Sequence, residues 1–236
     1  MKTLLKNCAL RSGVRTDILV EDGLIVGIGS FATADQVYDM TGYAAVLPCF
    51  IDAHMHLITG NIPYEDTFLR AWAQAGVTTL RDLGVDDDMR TYPTEKFITF
   101  RDKTSEDPEC AQCLTSGRFV AADGGYGNAM MDTLTGYGGK VAVGTDAMRM
   151  EIQPEVAGMP LRELRLLHEA GLSVDEVIDA ATINAAEVCG IADQVGSIAV
   201  GKRANLIAVK DPIDEGFDAL AHVEFVMNRG VVIKNI

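Results

Sequence analysis

The pattern of apolar residues changes twice along the chain, and this change constrains the fold more than any other feature. Residues 1–47 and the stretch from Val195 onward carry short β-branched runs separated by turn signals, which is typical of antiparallel strands. Between them, strand-like runs alternate with helical stretches, which indicates βα units around a parallel sheet. We therefore predict two domains, one built from residues 1–47 and 195–236 and one from residues 48–194.

Individual elements follow from the same patterns. In the terminal segments, strands are predicted at residues 17–20, 24–28, 205–210, 223–227 and 231–233, with turns at residues 21–23 and 228–230. In the middle segment, strands are predicted at residues 46–52, 77–80, 113–120 and 141–145, and helices at residues 64–75, 161–170 and 174–188. Ser173 is predicted to cap the last helix, because Glu176 follows three residues later.

Charge and cysteine content narrow the functional classes. A formal net charge of −14 disfavours binding to nucleic acid or to anionic membrane surfaces. The first ten residues lack the continuous apolar stretch of a signal peptide, so a cytoplasmic protein is expected. The five cysteines are odd in number and scattered, which predicts free thiols in a reducing compartment.

Two histidines with a single residue between them mark a candidate metal site. His54 and His56 follow a predicted strand, and side chains two residues apart on a strand point to the same side. Parallel barrels place their chemistry at the carboxyl ends of the strands. Taken alone, the pair also fits an ordinary surface or core pair of histidines.

Asp146 is the natural third ligand, because it ends another predicted strand. If that strand and the one before His54 are neighbours in a closed barrel, two imidazoles and one carboxylate converge. Such a donor set with water in the open position fits hydrolytic zinc. As an alternative, Asp146 is a helix N-cap or a turn residue.

Several segments resemble the amidohydrolase superfamily, in its imidazolonepropionase and prolidase-like branch. Residues 46–57 (VLPCFIDAHMHL) are similar to its first-strand signature, with Cys49 where the family usually has glycine. Further similar segments, in the family's order, are residues 76–82, 144–147, 180–186, 196–198 and 201–206.

The resemblance implies an α/β fold: a (β/α)8 TIM-type barrel, here incomplete, plus a β-sandwich built from both termini. It also implies a metal-dependent hydrolase of carbon–nitrogen bonds in small-molecule amides, including non-peptide and dipeptide amides. His54, His56 and Asp146 would hold one divalent ion at most, zinc being the first expectation. Asp146 would also transfer protons as the catalytic residue, while the substrate-binding residues stay unassigned.

The family pattern is interrupted between the second and the last strand. The family's modified lysine and two further histidines come from middle strands, yet no histidine lies between Leu57 and Leu167. A complete barrel needs about 250 residues, so roughly 100 are missing, with the seam near residues 128–131. Lys140 precedes the last strand and is excluded as the missing lysine.

This interruption raises an alternative function, a non-catalytic remnant or interaction protein. Unpaired strand edges in a shortened barrel would favour homo-oligomers.

The remaining candidate motifs are interpreted as structural features without a role in catalysis or metal binding. His168 is expected to be structural and His222 to be a solvated sheet residue, the Cys110 and Cys113 spacing is attributed to chance, and the glycine-rich segments 123–128 and 136–139 are expected to be loops.

Overall fold

A computed structural model describes residues 1–57, 66–83, 94–115, 140–148, 158–214 and 216–236 of the chain. Within these ranges the strands form three four-stranded sheets. Several predicted features lie outside the described residues: the two glycine-rich segments, the seam near residues 128–131, and the ends of two predicted elements at residues 64–65 and 116–120.

The first sheet is formed by the N-terminal segment. Its strands are β1 (Lys2–Ala9), β2 (Arg15–Glu21), β3 (Leu24–Gly29) and β4 (Gln36–Asp39), in the order β3-β2-β1-β4. The predicted β2–β3 hairpin is confirmed. Its turn residues Asp22 and Gly23 have φ of 51° and 81°, the left-handed values that a tight hairpin turn requires. The sequence patterns did not predict β1, although it is the strand that joins β2 to β4.

The second sheet combines residues from the two ends of the chain. Its strands are β5 (Ala45–Pro48), β10 (Leu206–Val209), β11 (Phe225–Asn228) and β12 (Val231–Asn235), all antiparallel in the order β12-β11-β10-β5. The three predicted C-terminal strands are thus confirmed with shifted ends. β10 pairs with β5, so the predicted pairing of the two ends is present in the structure.

The first two sheets share one hydrophobic core. Apolar side chains from both sheets form a single buried cluster, with Leu5 and Ile18 on the first sheet and Leu206 and Phe225 on the second. The ring of Phe225 meets the ring of Tyr38 edge-on at a centroid distance of 5.7 Å. This shared core fixes the N-terminal strands against the C-terminal ones.

The third sheet is parallel and has helices around it. Its strands are β6 (Phe50–His56), β7 (Val77–Asp82), β8 (Gln112–Thr115) and β9 (Ala147–Met148), in the order β8-β7-β6-β9. The helices are α1 (Asp66–Ala75), α2 (Thr94–Glu106), α3 (Leu161–Glu169), α4 (Val174–Ala181) and α5 (Ile183–Val188), with a 3-10 helix at Asp218–His222. The α/β class is therefore confirmed, while barrel closure, the sandwich and the domain boundaries stay predictions.

Two predicted elements are each divided in the structure. The strand predicted at residues 46–52 is wrong as a single element. The N–H of Cys49 donates to the carbonyl of Asn205, just before β10 of the second sheet, whereas the N–H of Phe50 donates to the carbonyl of Gly76, just before β7 of the third. The helix predicted at residues 174–188 breaks at Thr182, whose φ and ψ are −127° and −92°. Its predicted cap is confirmed, since Ser173 and Glu176 form a reciprocal capping box.

The strand predicted at residues 141–145 is also wrong. Within residues 140–148, the structure has a strand only at Ala147–Met148, which is β9. The N–H of Val143 donates to the carbonyl of Ala180, and the N–H of Thr145 donates to the carboxylate of Asp52. These donors are therefore not used in a strand ladder. The segment still runs beside β6, because Ala53 donates to Val143.

Helix α2 was not predicted, because its apolar residues Phe97, Ile98 and Phe100 lie within about one turn and no apolar residue follows in residues 101–106. Among the described residues, no helix combines the length and apolar character that crossing a membrane requires.

Candidate metal centre

Strand β6 presents two imidazoles at its carboxyl end. His54 and His56 are two residues apart, and their ring centroids lie 5.5 Å apart in an edge-on arrangement. The His56 side chain is 18% exposed and that of His54 is 46% exposed. One side of the pair is therefore accessible to solvent and to a ligand.

Asp146 completes the cluster from the segment that precedes β9. Its carboxylate Oδ1 lies 3.3 Å from His54 Nε2 and 3.1 Å from His56 Nε2. The backbone N–H of Asp146 donates to the His54 carbonyl at 2.8 Å, and the residue has a φ of 52°. The structure thus brings together the three residues that the sequence predicted as ligands.

The donor set and the spacing fit a divalent metal ion. Two atoms bound to one tetrahedral zinc at about 2.0–2.1 Å are about 3.4 Å from each other. The two measured imidazole–carboxylate distances are close to that value, and the three ligand atoms all lie within 4.8 Å of one another. Over the described ranges, this is the one such group of His, Cys, Asp and Glu side chains.

Electrostatics in the cluster favour neutral imidazole. Burial lowers the pKa of His54, and the charges of His56 and Arg81 lower it further, although the Asp146 carboxylate opposes this. A metal-binding imidazole must be neutral, so a lowered pKa keeps His54 competent as a ligand near neutral pH.

Asp52 is a buried carboxylate beside the cluster to which the sequence patterns assigned no role. It accepts hydrogen bonds from the His54 N–H, the Thr145 N–H and the Thr145 hydroxyl. Burial raises the pKa of Asp52 to about 6, while these three hydrogen bonds lower it.

Asp82 is a second buried carboxylate that was missed, and it accepts hydrogen bonds from the Leu57 N–H and the Thr115 hydroxyl. Asp52 could have been singled out from the sequence, because it follows Phe50 and Ile51 in an apolar run, and a carboxylate buried there must be hydrogen-bonded. Asp82 ends the partly polar strand β7 (VTTLRD), so its sequence context gives no such signal.

The other candidate residues do not join the cluster. Lys140 is exposed and pairs with Glu187, which agrees with its exclusion. His168 contacts the Leu172 carbonyl through Nδ1 at 2.6 Å and is structural, as predicted. His222 is exposed as predicted but ends the 3-10 helix and is not in a sheet.

The five cysteines are free thiols, as predicted, and four of them are buried.

Fold and cluster together define an α/β protein with a candidate centre for a divalent metal ion. The sequence profile of the amidohydrolase family matches residues 128–236. The structure is similar to that of a Xaa-Pro dipeptidase with bound methionine in its active site, with a TM-score of 0.70, 16% identity and complete coverage of both chains. At 16% identity, this structural similarity is evidence for a shared fold and not for a shared activity.

Two characterised groups of enzymes also share segments with the chain. An adenine deaminase of Listeria monocytogenes serovar 1/2a is 41% identical over 64 residues, which are 27% of this chain and 11% of that protein. A dihydroorotase of Lactobacillus helveticus is 27% identical over 159 residues, with 57% of this chain and 37% of that protein covered. The chain thus spans a minor part of both relatives. The second part of the chain, residues 128–236, is thus similar to the amidohydrolase family, and the solved structures share its fold.

Proposed function

We propose that the chain is a metal-dependent hydrolase of carbon–nitrogen bonds in small-molecule amides, including cyclic amides and dipeptides. The observation that carries this proposal is the convergence of His54, His56 and Asp146 at the carboxyl end of the parallel sheet. The named relatives support the bond class, since a deaminase and a dihydroorotase both act on carbon–nitrogen bonds.

One ion per chain, with zinc as the first choice, is the expected stoichiometry. The sequence has four histidines, and His168 and His222 lie outside the cluster. Two imidazoles and a carboxylate fill three positions of a tetrahedral zinc site and leave the fourth for water or substrate. When bound, the ion would polarise the amide carbonyl and make water a better nucleophile at neutral pH.

Asp146 has the position of a general base and acid. Its Oδ1 is the atom between the two imidazoles, so Oδ2 is the atom proposed to accept the proton of the attacking water. The same atom then donates this proton to the leaving nitrogen, which lets the amine depart as a neutral group. With its side chain 65% exposed, Asp146 can exchange protons with solvent between turnovers.

Metal content and hydrolysis on matched variants test the proposal. Elemental analysis of the purified chain should find about one zinc, iron or manganese ion per molecule. His54→Ala should lose the ion and the hydrolysis of cyclic-amide and dipeptide substrates, whereas His222→Ala, at an exposed histidine outside the cluster, should keep both. Wild-type protein without metal above background would overturn the proposal.

A non-catalytic binding protein is the second candidate. It is favoured by the small donor set, because the cluster has two imidazoles while the resemblance implies four histidines and a modified lysine. Loss of ligands and of the groups that orient them weakens metal sites steeply. This candidate predicts self-association without bound metal, so sizing chromatography of the same preparation separates the two functions.

A further inference from the structure

We propose that Asp52 is a positioning residue that sets the distance between the two metal-binding segments; this inference rests on the proposed metal-dependent function. Asp52 itself is fully buried, and its carboxylate lies between β6 and the segment that carries Asp146. It therefore acts through the ligands and contacts neither metal nor substrate.

One oxygen of the carboxylate joins the two segments directly. Asp52 Oδ1 accepts the backbone N–H of His54 at 3.1 Å and the backbone N–H of Thr145 at 3.1 Å. His54 is a ligand, and Thr145 immediately precedes the ligand Asp146. A single acceptor atom thus fixes the backbone at or next to two of the three ligands.

The second oxygen fixes the orientation of the carboxylate. Oδ2 accepts the Thr145 hydroxyl at 2.6 Å, so the carboxylate plane cannot rotate without breaking a short hydrogen bond. Metal sites tolerate deviations of only about 0.2 Å in their ligand distances. Constraints on the backbone beside His54 and Asp146 are therefore well placed to control affinity.

The pattern of bonds predicts which substitutions preserve this role. Asparagine retains one carbonyl oxygen that can accept both backbone N–H groups, and its amide can donate to the Thr145 hydroxyl. Alanine removes all three bonds and leaves buried donors without an acceptor. Asp52→Asn should therefore preserve the positioning, and Asp52→Ala should remove it.

Asp17 provides a matched control in the first sheet. It is 9% exposed, and its carboxylate accepts the backbone N–H groups of Asn7 and Phe31 at 3.1 and 3.2 Å. The first sheet contains none of the three ligands. Asp17→Ala thus also removes hydrogen bonds from backbone N–H groups to a buried carboxylate. Because it does so away from the ligands, any change in its zinc affinity would reflect a general loss of stability.

The experiment measures zinc affinity by competition with a chromophoric chelator, and amide hydrogen exchange in metal-free protein. Asp52→Ala should weaken zinc binding by about 10–100-fold, whereas Asp52→Asn and Asp17→Ala should stay within about fivefold of wild type. Exchange at the His54 and Thr145 amides should accelerate in Asp52→Ala alone.

Two outcomes would overturn the positioning role: wild-type affinity in Asp52→Ala, or an equal loss in Asp17→Ala. A wild-type chain that binds no zinc would instead overturn the proposed function. In that case hydrogen exchange in the metal-free protein still tests the positioning role of Asp52. Unchanged exchange rates at the His54 and Thr145 amides in Asp52→Ala would reject this role.

Discussion

The backbone N–H of Asp146 donates a 2.8 Å hydrogen bond to the carbonyl of His54, so these two proposed ligands are joined through main chain as well as through side chains. The approach is close because Gly144 has no side chain. A Cβ at position 144 would lie 2.7 Å from the Cβ of His54, nearer than such atoms pack. The separation of the two ligand segments therefore depends on a glycine.

Gly144→Ala should move His54 away from Asp146. The added methyl group requires a backbone or side-chain shift, and overpacking of this kind destabilises by about 1–3 kcal/mol. Urea unfolding measures this loss, and zinc titration should show weaker binding. Gly42→Ala is the control, since a Cβ there meets no atom within 4 Å. Equal zinc affinity in both variants would contradict the expectation.

Arg229→Met should destabilise the chain by about 2–3 kcal/mol, because the guanidinium donates to carbonyls in the last turn of α2 and in the segment after it, and these carbonyls would lose their charged partner. These acceptors are the carbonyls of Ser105, Asp107 and Cys110. Arg165→Met is the comparison. The Arg165 side chain is 42% exposed, and its ion pair with Asp218 should contribute less than about 1 kcal/mol. Denaturation midpoints that rank these variants in the opposite order would exclude this role for Arg229.

Phe225→Ala should be among the most destabilising single changes, at about 3–5 kcal/mol. The ring is fully buried and lies edge-on to both Tyr38 and Tyr43, so its removal leaves a cavity between the first two sheets. Thermal unfolding followed by circular dichroism measures the effect. Val231→Ala, at a side chain exposed on β12, should be nearly neutral, and a similar loss there would show that the cavity is not the cause.

Alkylation should separate Cys189 from the other thiols. Burial raises the pKa of Cys8 to about 12, so at pH 8 only about one such thiol in ten thousand is the reactive thiolate. Burial also raises the pKa of Cys189, but this residue is partly exposed. Mass spectrometry after iodoacetamide treatment should find Cys189 modified first and the other four only in denaturant. Native Cys8 reacting as fast as Cys189 would refute this order.

Local patterns predicted the elements whose signals are local. The Asp22-Gly23 turn and the Ser173 cap were both found as expected, because their hydrogen bonds lie within a few residues. The break at Cys49 was missed, since it depends on partners at Asn205 and Gly76 that are distant in sequence. A continuous apolar run does not reveal a change of sheet.

In the candidate site, too, features that depend on nearby residues were predicted and a feature that depends on a distant residue was not. The spacing of His54 and His56 and the position of Asp146 after an apolar run predicted the proximity of all three, which the structure contains. Their chemical roles stay predictions. The apolar surroundings of Asp52 indicate that it needs hydrogen bonds, but its partner could not be predicted, because Thr145 lies 93 residues away in the sequence.

Strand β6 follows β5 with only Cys49 between them, so one uninterrupted stretch of backbone belongs first to the sheet of the chain ends and then to the parallel sheet. β10 forms an antiparallel ladder with β5, and β5 continues through one residue into the strand that carries both histidines. A substitution that shifts β10 would therefore displace the proposed ligands His54 and His56 through that ladder and the backbone of β6.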